Sequence, residues 1–340
     1  MAMEIIKMKK EHLDEVSEIA YGMYLEEQKY EKELRLSSKE KFCNKVKKSV
    51  FHERGYVCVK QGKVFGYLSA KEFLQEDGTT WCMVPIWGYG AIGSNREKIL
   101  SMLFQKMAEE LCENKTVHFE IKLYAHDEGS VRLFSYLQFG IQCEEGISST
   151  KGDIHASGER VSEEEMCRTR LDLDTDVEIP HETEITVEEL SKQEIKERWG
   201  EIWSLLSRLI GHLQKSPVFY PGEEFTEEVY KRFFLDEDTY VYAAKKAGSM
   251  IGLIEANADG NEFLSDNEGC YNVGDIFVAD EFRGKGVAQK LLAYVKDALQ
   301  AKKIDSMWVE HGTANPNARG FWNKYFDSYC YTMIRDIKGC

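Results

Sequence analysis

The sequence lacks the motifs of metal sites and of disulfide frameworks. Its 9 cysteines are scattered through 340 residues with no C-x-x-C, and its 8 histidines form no H-E-x-x-H motif. The number of cysteines is odd, so they cannot all be paired within the chain. We therefore predict no metal site and no disulfide framework, as expected of a protein in a reducing compartment.

Proline and long apolar segments are also scarce. Only 5 prolines occur, and no tract is rich in Pro, Ser or Gly. No apolar run approaches the roughly 18 residues that span a membrane. The opening stretch MAMEIIKMKKEHLDEV does not contain the long apolar core of a signal peptide. These absences predict a folded, cytoplasmic protein with no membrane partner.

Basic residues are fewer than acidic residues, so the formal net charge is −15. A domain that grips nucleic acid normally carries a basic face, so we predict no nucleic-acid partner. The deficit still allows a local basic pocket for an anionic cofactor. Apolar residues are plentiful at 43% of the chain. The length of the chain predicts about two domains.

Two similar stretches predict an internal repeat. YVCVKQGKVFGYLSA begins at Tyr56 and YVYAAKKAGSMIGLIEA begins at Tyr240, and each is typical of a β-hairpin. Helical sequence precedes each hairpin. Each hairpin is followed by a strand, a long helix, a strand, a short helix and a last strand. The last strands are CRTRLDLD at 167–174 and YTMIRDI at 331–337.

The repeat predicts an α/β fold of two domains. We place them at residues 1–176 and 177–340, joined near the acidic stretch TDVEIPHETE. The alternative is a single larger α/β domain whose two hairpins match by chance.

The stretch GDIFVADEFRGKGVAQKLLAYVKDAL, residues 274–299, places two glycines between a strand and a helix. Small residues let backbone N–H groups converge on an anion, and the first helical turn adds unpaired donors. The stretch is not a P-loop, because Lys285 falls between the glycines and no Ser or Thr follows it. A Rossmann fingerprint is incomplete, because Gln289 occupies the place of the third glycine.

A third phosphate-binding pattern, [R/Q]-x-x-G-x-[G/A], is met by Arg283, Gly286 and Ala288, and an N-x-x-A motif follows at 315–318. With the strands and helices around them, these motifs resemble the GNAT acetyltransferase superfamily over residues 240–326. The resemblance implies acetyl-CoA as cosubstrate. It also implies, in each domain, a mixed and mostly antiparallel sheet flanked by helices, with central strands that splay apart around the cofactor arm.

The resemblance assigns cofactor contacts to three segments. The strand before the turn pairs with the pantetheine amides, the turn wraps the pyrophosphate, and the asparagine with its helix faces the pantetheine arm. Arg283 and Lys285 supply positive charge. The predicted cofactor-binding residues are Ile276, Phe277, Val278, Arg283, Gly284, Lys285, Gly286, Val287, Ala288, Asn315, Phe321 and Trp322.

The first half departs from this pattern. Where the turn is expected it contains GYGAIGSNREK at 88–98, with no basic residue before the glycines. We predict that Ser94 caps the following helix and that Glu97 completes a capping box. SYLQFGI at 135–141 resembles the end of the family's last helix, with Tyr136 in the place of its tyrosine. We interpret this half as a GNAT-like domain with a degenerate cofactor loop.

Acetyl transfer to an amine requires a base for the amine, a polarised carbonyl and a proton for the thiolate. Asp275 and Glu310 are the candidate bases, and ordinary strand-edge charges are the alternative for both. Where many family members carry a tyrosine acid, this sequence has Trp322, so Tyr325 one turn beyond is the candidate acid. Positioning with water as proton carrier is the alternative.

The sequence leaves the acceptor open beyond its chemical class. We predict an amine of a small molecule or peptide, acetylated directly in a ternary complex. Phe219, Tyr220 and Pro221 are candidates to line its pocket or to pack as a connector, and His212 is interpreted as structural. The alternative function is an acyl-CoA binding or sensing protein without catalysis. The oligomeric state is unknown from sequence.

Overall fold

Strands and helices alternate in the first half of the chain as the sequence predicts. The computed structural model describes residues 3–35, 38–51, 54–75, 78–113, 115–151, 184–216, 226–258 and 269–339. The elements of the first half are β1 Glu4–Lys7, α1 Leu13–Gln28, α2 Lys39–Phe51, β2 Arg54–Lys60, β3 Lys63–Leu74, β4 Thr80–Val84, β5 Tyr89–Ala91, α3 Arg96–Leu111, β6 Val117–Tyr124, α4 Glu128–Tyr136 and β7 Gly140–Ser149.

The second half repeats this order with one additional helix before its hairpin and one strand fewer between its hairpin and its long helix. Its elements are β8 Thr186–Leu190, α5 Lys192–Glu197, α6 Trp199–Lys215, α7 Glu227–Phe234, β9 Thr239–Lys246, β10 Ser249–Asn257, β11 Cys270–Val278, α8 Val287–Ala301, β12 Ser306–Gly312, α9 Pro316–Trp322 and β13 Asp327–Ile337. The predicted strand at 167–174, the boundary between 176 and 177, and Phe219, Tyr220 and Pro221 lie outside the described residues.

Both predicted hairpins are confirmed, and both turn in the same way. The β2–β3 turn has Gln61 at φ 54° and Gly62 at φ 76°, and the β9–β10 turn has Ala247 at φ 50° and Gly248 at φ 80°. Two successive positive φ angles match the right-handed twist of the flanking strands, which is why such turns join hairpins.

The predicted Ser94 cap is wrong. Helix α3 begins at Arg96 with Asn95 as N-cap, and no side chain caps it. The turn before it, with Gly93 at φ 81°, extends further than the sequence pattern indicates. Glu97 forms an ion pair with Arg132 of α4 instead of a capping box.

The 13 strands found among the described residues form one sheet that runs through both halves. Its order is β1-β2-β3-β4-β6-β13-β7-β12-β11-β10-β9-β8, and β5 pairs with β3. The predicted strand at 331–337 lies in β13, but β13 pairs with β6 and β7 of the first half. Strand β7, in turn, pairs with β12 of the second half. Each half therefore places its last described strand against the other half.

Apolar side chains cover both faces of the sheet. The largest cluster packs α1, α2 and α3 on the first half and includes Tyr329 and Met333 of β13. Two further clusters cover the second half, one beneath α8 and α9 and one beneath α6 and α7. Among the described helices, none combines the length and the apolar character needed to cross a membrane.

Candidate functional site

A cleft opens where β11 and β12 separate. The two parallel strands pair only from Cys270 to Asn272 on β11, opposite Ser306 to Trp308 on β12. Beyond these pairs β11 stays with β10, whereas β12 stays with β7. The resulting cleft has a volume of about 1000 Å³. Cys143 of β7 lies in its wall, so the first half contributes to it.

Backbone groups of β11 point into this gap. The Ala279 N–H donates to the Ile251 carbonyl at 2.9 Å, which continues the ladder between β10 and β11. Because hydrogen-bonded pairs alternate along an antiparallel ladder, the backbone groups of Ile276 and Val278 point away from β10, toward β12. The Val278 carbonyl accepts from Arg283 Nε at 3.0 Å.

The glycine turn ends at the first residue of α8. Gly284 has φ 73° and Gly286, the N-cap, has φ 75°, both in the left-handed region that favours glycine. A Cβ at either position meets no heavy atom of the described residues within 4 Å. The glycines therefore serve the backbone conformation and leave open space beside the unpaired amides of the helix start.

Two arginines, one from the turn and one from α6, place their guanidinium groups beside the turn. The Arg283 guanidinium forms an ion pair with Asp280 at 2.9 Å and lies over the Phe277 ring at 5.3 Å. Arg208 of α6 contacts the same two residues, at 3.1 Å and 5.3 Å. Sequence reasoning missed Arg208, because it belongs to no motif. Lys285 is exposed and lies 5.5 Å over the Phe282 ring.

Two acidic residues, Asp275 and Glu255, line the β10–β11 side of the cleft. Asp275 accepts from the Tyr230 hydroxyl at 2.7 Å. Desolvation raises the pKa of Asp275, and the Tyr230 hydrogen bond opposes this rise. The Asp275 N–H donates to Glu255 Oε1 at 3.1 Å. Glu255 is only 3% exposed, and a Cβ at Gly274 would lie 1.8 Å from its Oε1, so a larger residue there would displace the Glu255 carboxylate.

Glu255 was not predicted, although the sequence carries one signal for it. It is an acid inside the apolar strand SMIGLIEAN. Glu310 lies on the opposite strand, β12, where it is exposed and lines the cleft. Its register partner across the seam between the halves is Glu145 of β7.

The N-x-x-A motif forms the start of α9. Asn315 is the N-cap, and its side chain accepts from the Asn317 and Ala318 amides. Trp322 is 4% exposed and packs edge-on against Phe321 and against Phe326. The motif therefore builds one wall of the cleft and caps the helix at the same time.

The cleft brings together most of the predicted site residues, but not all of them. Lys285, Gly286, Val287 and Tyr325 do not line it. Val287 is 1% exposed in the core, and Tyr325 packs on Phe321. The predicted residues that line the cleft are Asp275, Ile276, Phe277, Val278, Arg283, Gly284, Ala288, Glu310, Asn315, Phe321 and Trp322.

The first half has a pocket of its own, of about 790 Å³, where the turn before α3 meets the start of α4. Tyr89 is fully buried beside the end of β6, and its hydroxyl accepts from the Tyr124 N–H at 3.0 Å. The same hydroxyl donates to Asp127 at 3.4 Å, and Arg96 pairs with Asp127 at 3.0 Å. The Tyr124 N–H and the Tyr89 hydroxyl are thus bonded within the protein, whereas Arg96 and Asp127 also line this pocket.

No group of three or more His, Cys, Asp or Glu side chains is placed to hold a metal ion in the part of the chain that the structure describes.

Comparison with known protein families gives a match, and it lies in the second half of the chain. The sequence matches the Acetyltransferase (GNAT) family over residues 206–327. Residues 206–327 are a GNAT family domain. The match includes the glycine turn and the N-x-x-A motif and indicates an acyltransferase. Comparison with curated proteins gives no match.

Solved structures of GNAT proteins resemble the whole chain. A GCN5-related N-acetyltransferase from Sphaerobacter thermophilus has 12% identity and a TM-score of 0.54, with 99% of this chain and 97% of that chain covered. A tandem GNAT protein from the clavulanic acid biosynthesis pathway has 14% identity and a TM-score of 0.46, with 99% and 98% covered. The likeness to the first shows the fold, and the predicted fold class, a mixed sheet flanked by helices, is confirmed.

Proposed function

We propose that the protein is an N-acetyltransferase that moves the acetyl group of acetyl-CoA directly to an amine in a ternary complex. The observation that carries this proposal is the cleft between the diverging strands β11 and β12, with the glycine turn at its rim. We assign acetyl-CoA binding to residues 177–340. We assign residues 1–176 to a GNAT-like domain with a degenerate cofactor loop, an assignment supported by the lack of a basic residue before the glycines of GYGAIGSNREK at 88–98.

The cleft supports donor binding along its length. The backbone groups of Ile276 and Val278 are placed to pair with the amides of a pantetheine arm, as an added strand would. The amides of 284–288, at the turn and the start of α8, offer donors to a pyrophosphate. Arg283 and Lys285 add local positive charge to a chain whose net charge is −15. Val287 contributes its backbone alone, because its side chain is in the core.

The chemistry follows from groups on the two strands. The Val278 N–H points toward the gap, where it can polarise a thioester carbonyl. Asp275 is a candidate base, and a carboxylate with a raised pKa removes a proton from an amine more effectively near neutral pH. Glu310 is the second candidate base. Tyr325 does not line the cleft, which weakens its candidacy as acid.

The acceptor side favours a cationic amine of a small molecule or peptide. Glu255, Asp275 and Glu310 all line the cleft. Carboxylates that converge on one cavity attract a protonated amine and disfavour an anionic acceptor.

An assay of CoA release tests the proposed function. Purified protein is incubated with acetyl-CoA and a panel of mono-, di- and polyamines, and free thiol is measured. We expect amine-dependent thiol release that is greatest for amines carrying a second positive charge. Absence of thiol release with every amine, with acetyl-CoA binding retained in calorimetry, would exclude the transferase.

That outcome would favour the second candidate, an acyl-CoA binding or sensing protein. The observation in its favour is Trp322, which is buried against two aromatic rings and has no suitable proton for a thiolate.

A further inference from the structure

His311 is a buried histidine in the wall of the cleft with one ring nitrogen unused. It lies on β12 and is 6% exposed. Its Nε2 lies 2.9 Å from Asn323 Oδ1 and 3.9 Å from Glu144 Oε2. Its Nδ1 has no hydrogen-bond partner among the described residues. A buried polar atom without a partner is uncommon in a native fold, because its desolvation is not compensated.

The neighbours of His311 determine which nitrogen carries the hydrogen. Asn323 Nδ2 lies 3.3 Å and 3.4 Å from the two Glu144 oxygens, and of the two ends of the Asn323 amide only the NH₂ group can donate to a carboxylate. Asn323 Oδ1 therefore faces His311, whose Nε2 must donate to it. The neutral imidazole then keeps its lone pair on Nδ1, so the side chain is a base with a free acceptor position.

Glu144 links this base to the first half of the chain. It lies on β7 as the register partner of His311 and is 5% exposed. It accepts from Asn323 and from the hydroxyl of Ser328 on β13. Through Asn323, this carboxylate fixes the orientation of the ring, as in other carboxylate-backed histidines.

We propose that His311 carries the proton during acetyl transfer, and that Asn323 and Glu144 position it. This inference rests on the proposed acetyltransferase function and assigns the proton transfer to His311 in place of the candidate bases Asp275 and Glu310. As the C–N bond forms, Nδ1 takes the proton that the amine nitrogen loses. As the C–S bond breaks, Nδ1 returns that proton to the departing sulfur, so the products are the amide and the free thiol of CoA. No other reactant is needed for the balance.

The site is therefore composite under this proposal. The second half supplies the cleft and the histidine, and β7 of the first half supplies the carboxylate that orients it. The exchange of last strands between the halves is what places Glu144 beside His311.

Steady-state kinetics of histidine variants test this role. In His311→Gln we expect kcat to fall about a hundredfold or more, which is typical of the loss of a general acid–base group, with the KM for acetyl-CoA nearly unchanged. In His311→Ala we expect added imidazole to restore part of kcat in a concentration-dependent manner. Glu144→Gln should lower kcat by a smaller factor. His118→Gln is the matched control, since His118 lies on β6 paired with Asp336 and outside the cleft.

The outcomes separate this proposal from the proposed function. Wild-type activity with His311→Gln within about twofold of it overturns the role of His311 and leaves the transferase intact. Loss of acetyl-CoA affinity in His311→Ala, without rescue by imidazole, assigns His311 a structural role and also overturns the proposal. If the wild type releases no thiol with any amine, the proposed function and this inference fail together.

Discussion

At the residue scale, Gly286 shows why the turn requires glycine. Its backbone is left-handed at φ 75° at the start of α8. The space beside it is open, so the restriction comes from the backbone conformation rather than from a clash within the protein. The proposed pyrophosphate site depends on the left-handed backbone and on the open space. The backbone conformation turns the amides of the turn outward, and the open space leaves room for the anion in front of them.

We expect Gly286→Ala to weaken acetyl-CoA binding roughly tenfold. An L residue in the left-handed region costs about 1–2 kcal/mol, and relief of this strain turns the amides away from the anion. Isothermal titration calorimetry measures the affinity. Gly200→Ala is the matched control, since Gly200 also has open space but lies in α6 without a positive φ. Equal affinities in the two variants would remove the turn from the proposed site.

The Tyr230–Asp275 pair gives a second prediction at this scale. The Tyr230 hydrogen bond lowers the pKa of Asp275 against the larger effect of desolvation. In Tyr230→Phe the pKa of Asp275 therefore rises further. If ionised Asp275 is the base, activity appears as pH rises through its pKa, so the acidic limb of the pH profile of kcat/KM moves to higher pH.

A matched control for this variant is Tyr56→Phe. The Tyr56 hydroxyl donates to Glu110 at 2.7 Å, on the first half of the chain and outside the cleft. It should leave the profile unchanged. An unchanged profile in Tyr230→Phe as well would indicate that Asp275 is not the base.

At the scale of elements, β7 connects the two halves. It pairs with β12 on one side and with β13 on the other. Gly146 lies at the centre of this connection, and a Cβ there would be 2.8 Å from Phe326 Cβ. The close approach leaves no room for a larger residue unless the α9–β13 connection shifts.

We expect Gly146→Ala to lower the free energy of unfolding by about 1–3 kcal/mol through overpacking. Gly140→Ala in the same strand is the control, because its Cβ would meet no atom within 4 Å. Urea unfolding of both variants measures the difference. If both variants unfold at the wild-type midpoint, β7 is not held as tightly as the described contacts indicate.

At the scale of the whole molecule, the segment after α1 contacts the second half and carries a buried acid. Glu31 is 4% exposed, and burial raises its pKa to about 7, with Asp327 of β13 adding to the rise. Arg35, a few residues later, pairs with Asp305 at 2.6 Å. The protonation of Glu31 is therefore linked to the packing of the two halves.

We expect this linkage in the pH dependence of stability. Glu31 binds a proton more tightly in the folded state than in the unfolded state, so its contribution is complete below about pH 4.5 and is lost as pH rises to about 7. Relative to wild type, Glu31→Gln should gain up to about 3 kcal/mol of unfolding free energy between pH 5 and pH 8. Glu26→Gln, at an exposed position of α1, should gain nothing. Urea unfolding at both pH values measures this, and equal changes in the two variants would contradict it.

The sequence predicted the site residues that belong to short motifs, but not those that depend on contacts between distant segments. Arg283, Gly286 and Asn315 were found because a turn or a cap requires particular residue types at fixed spacing. Arg208, Glu255 and His311 were missed, because their significance depends on neighbours from other elements. The Ser94 cap was wrong for the same reason, since Glu97 pairs with Arg132 of another helix.

The sequence by itself determined the two hairpins, the glycine turn and the family resemblance of the second half. These features depend on backbone preferences and side-chain size over a few consecutive residues. Only the tertiary structure decided that β13 enters the first half, that Tyr89 is buried against the end of β6, and that Glu144 lies beside Asn323, 179 residues away along the chain. Such pairings depend on which apolar faces and backbone edges meet when the whole chain folds, and no local pattern encodes them.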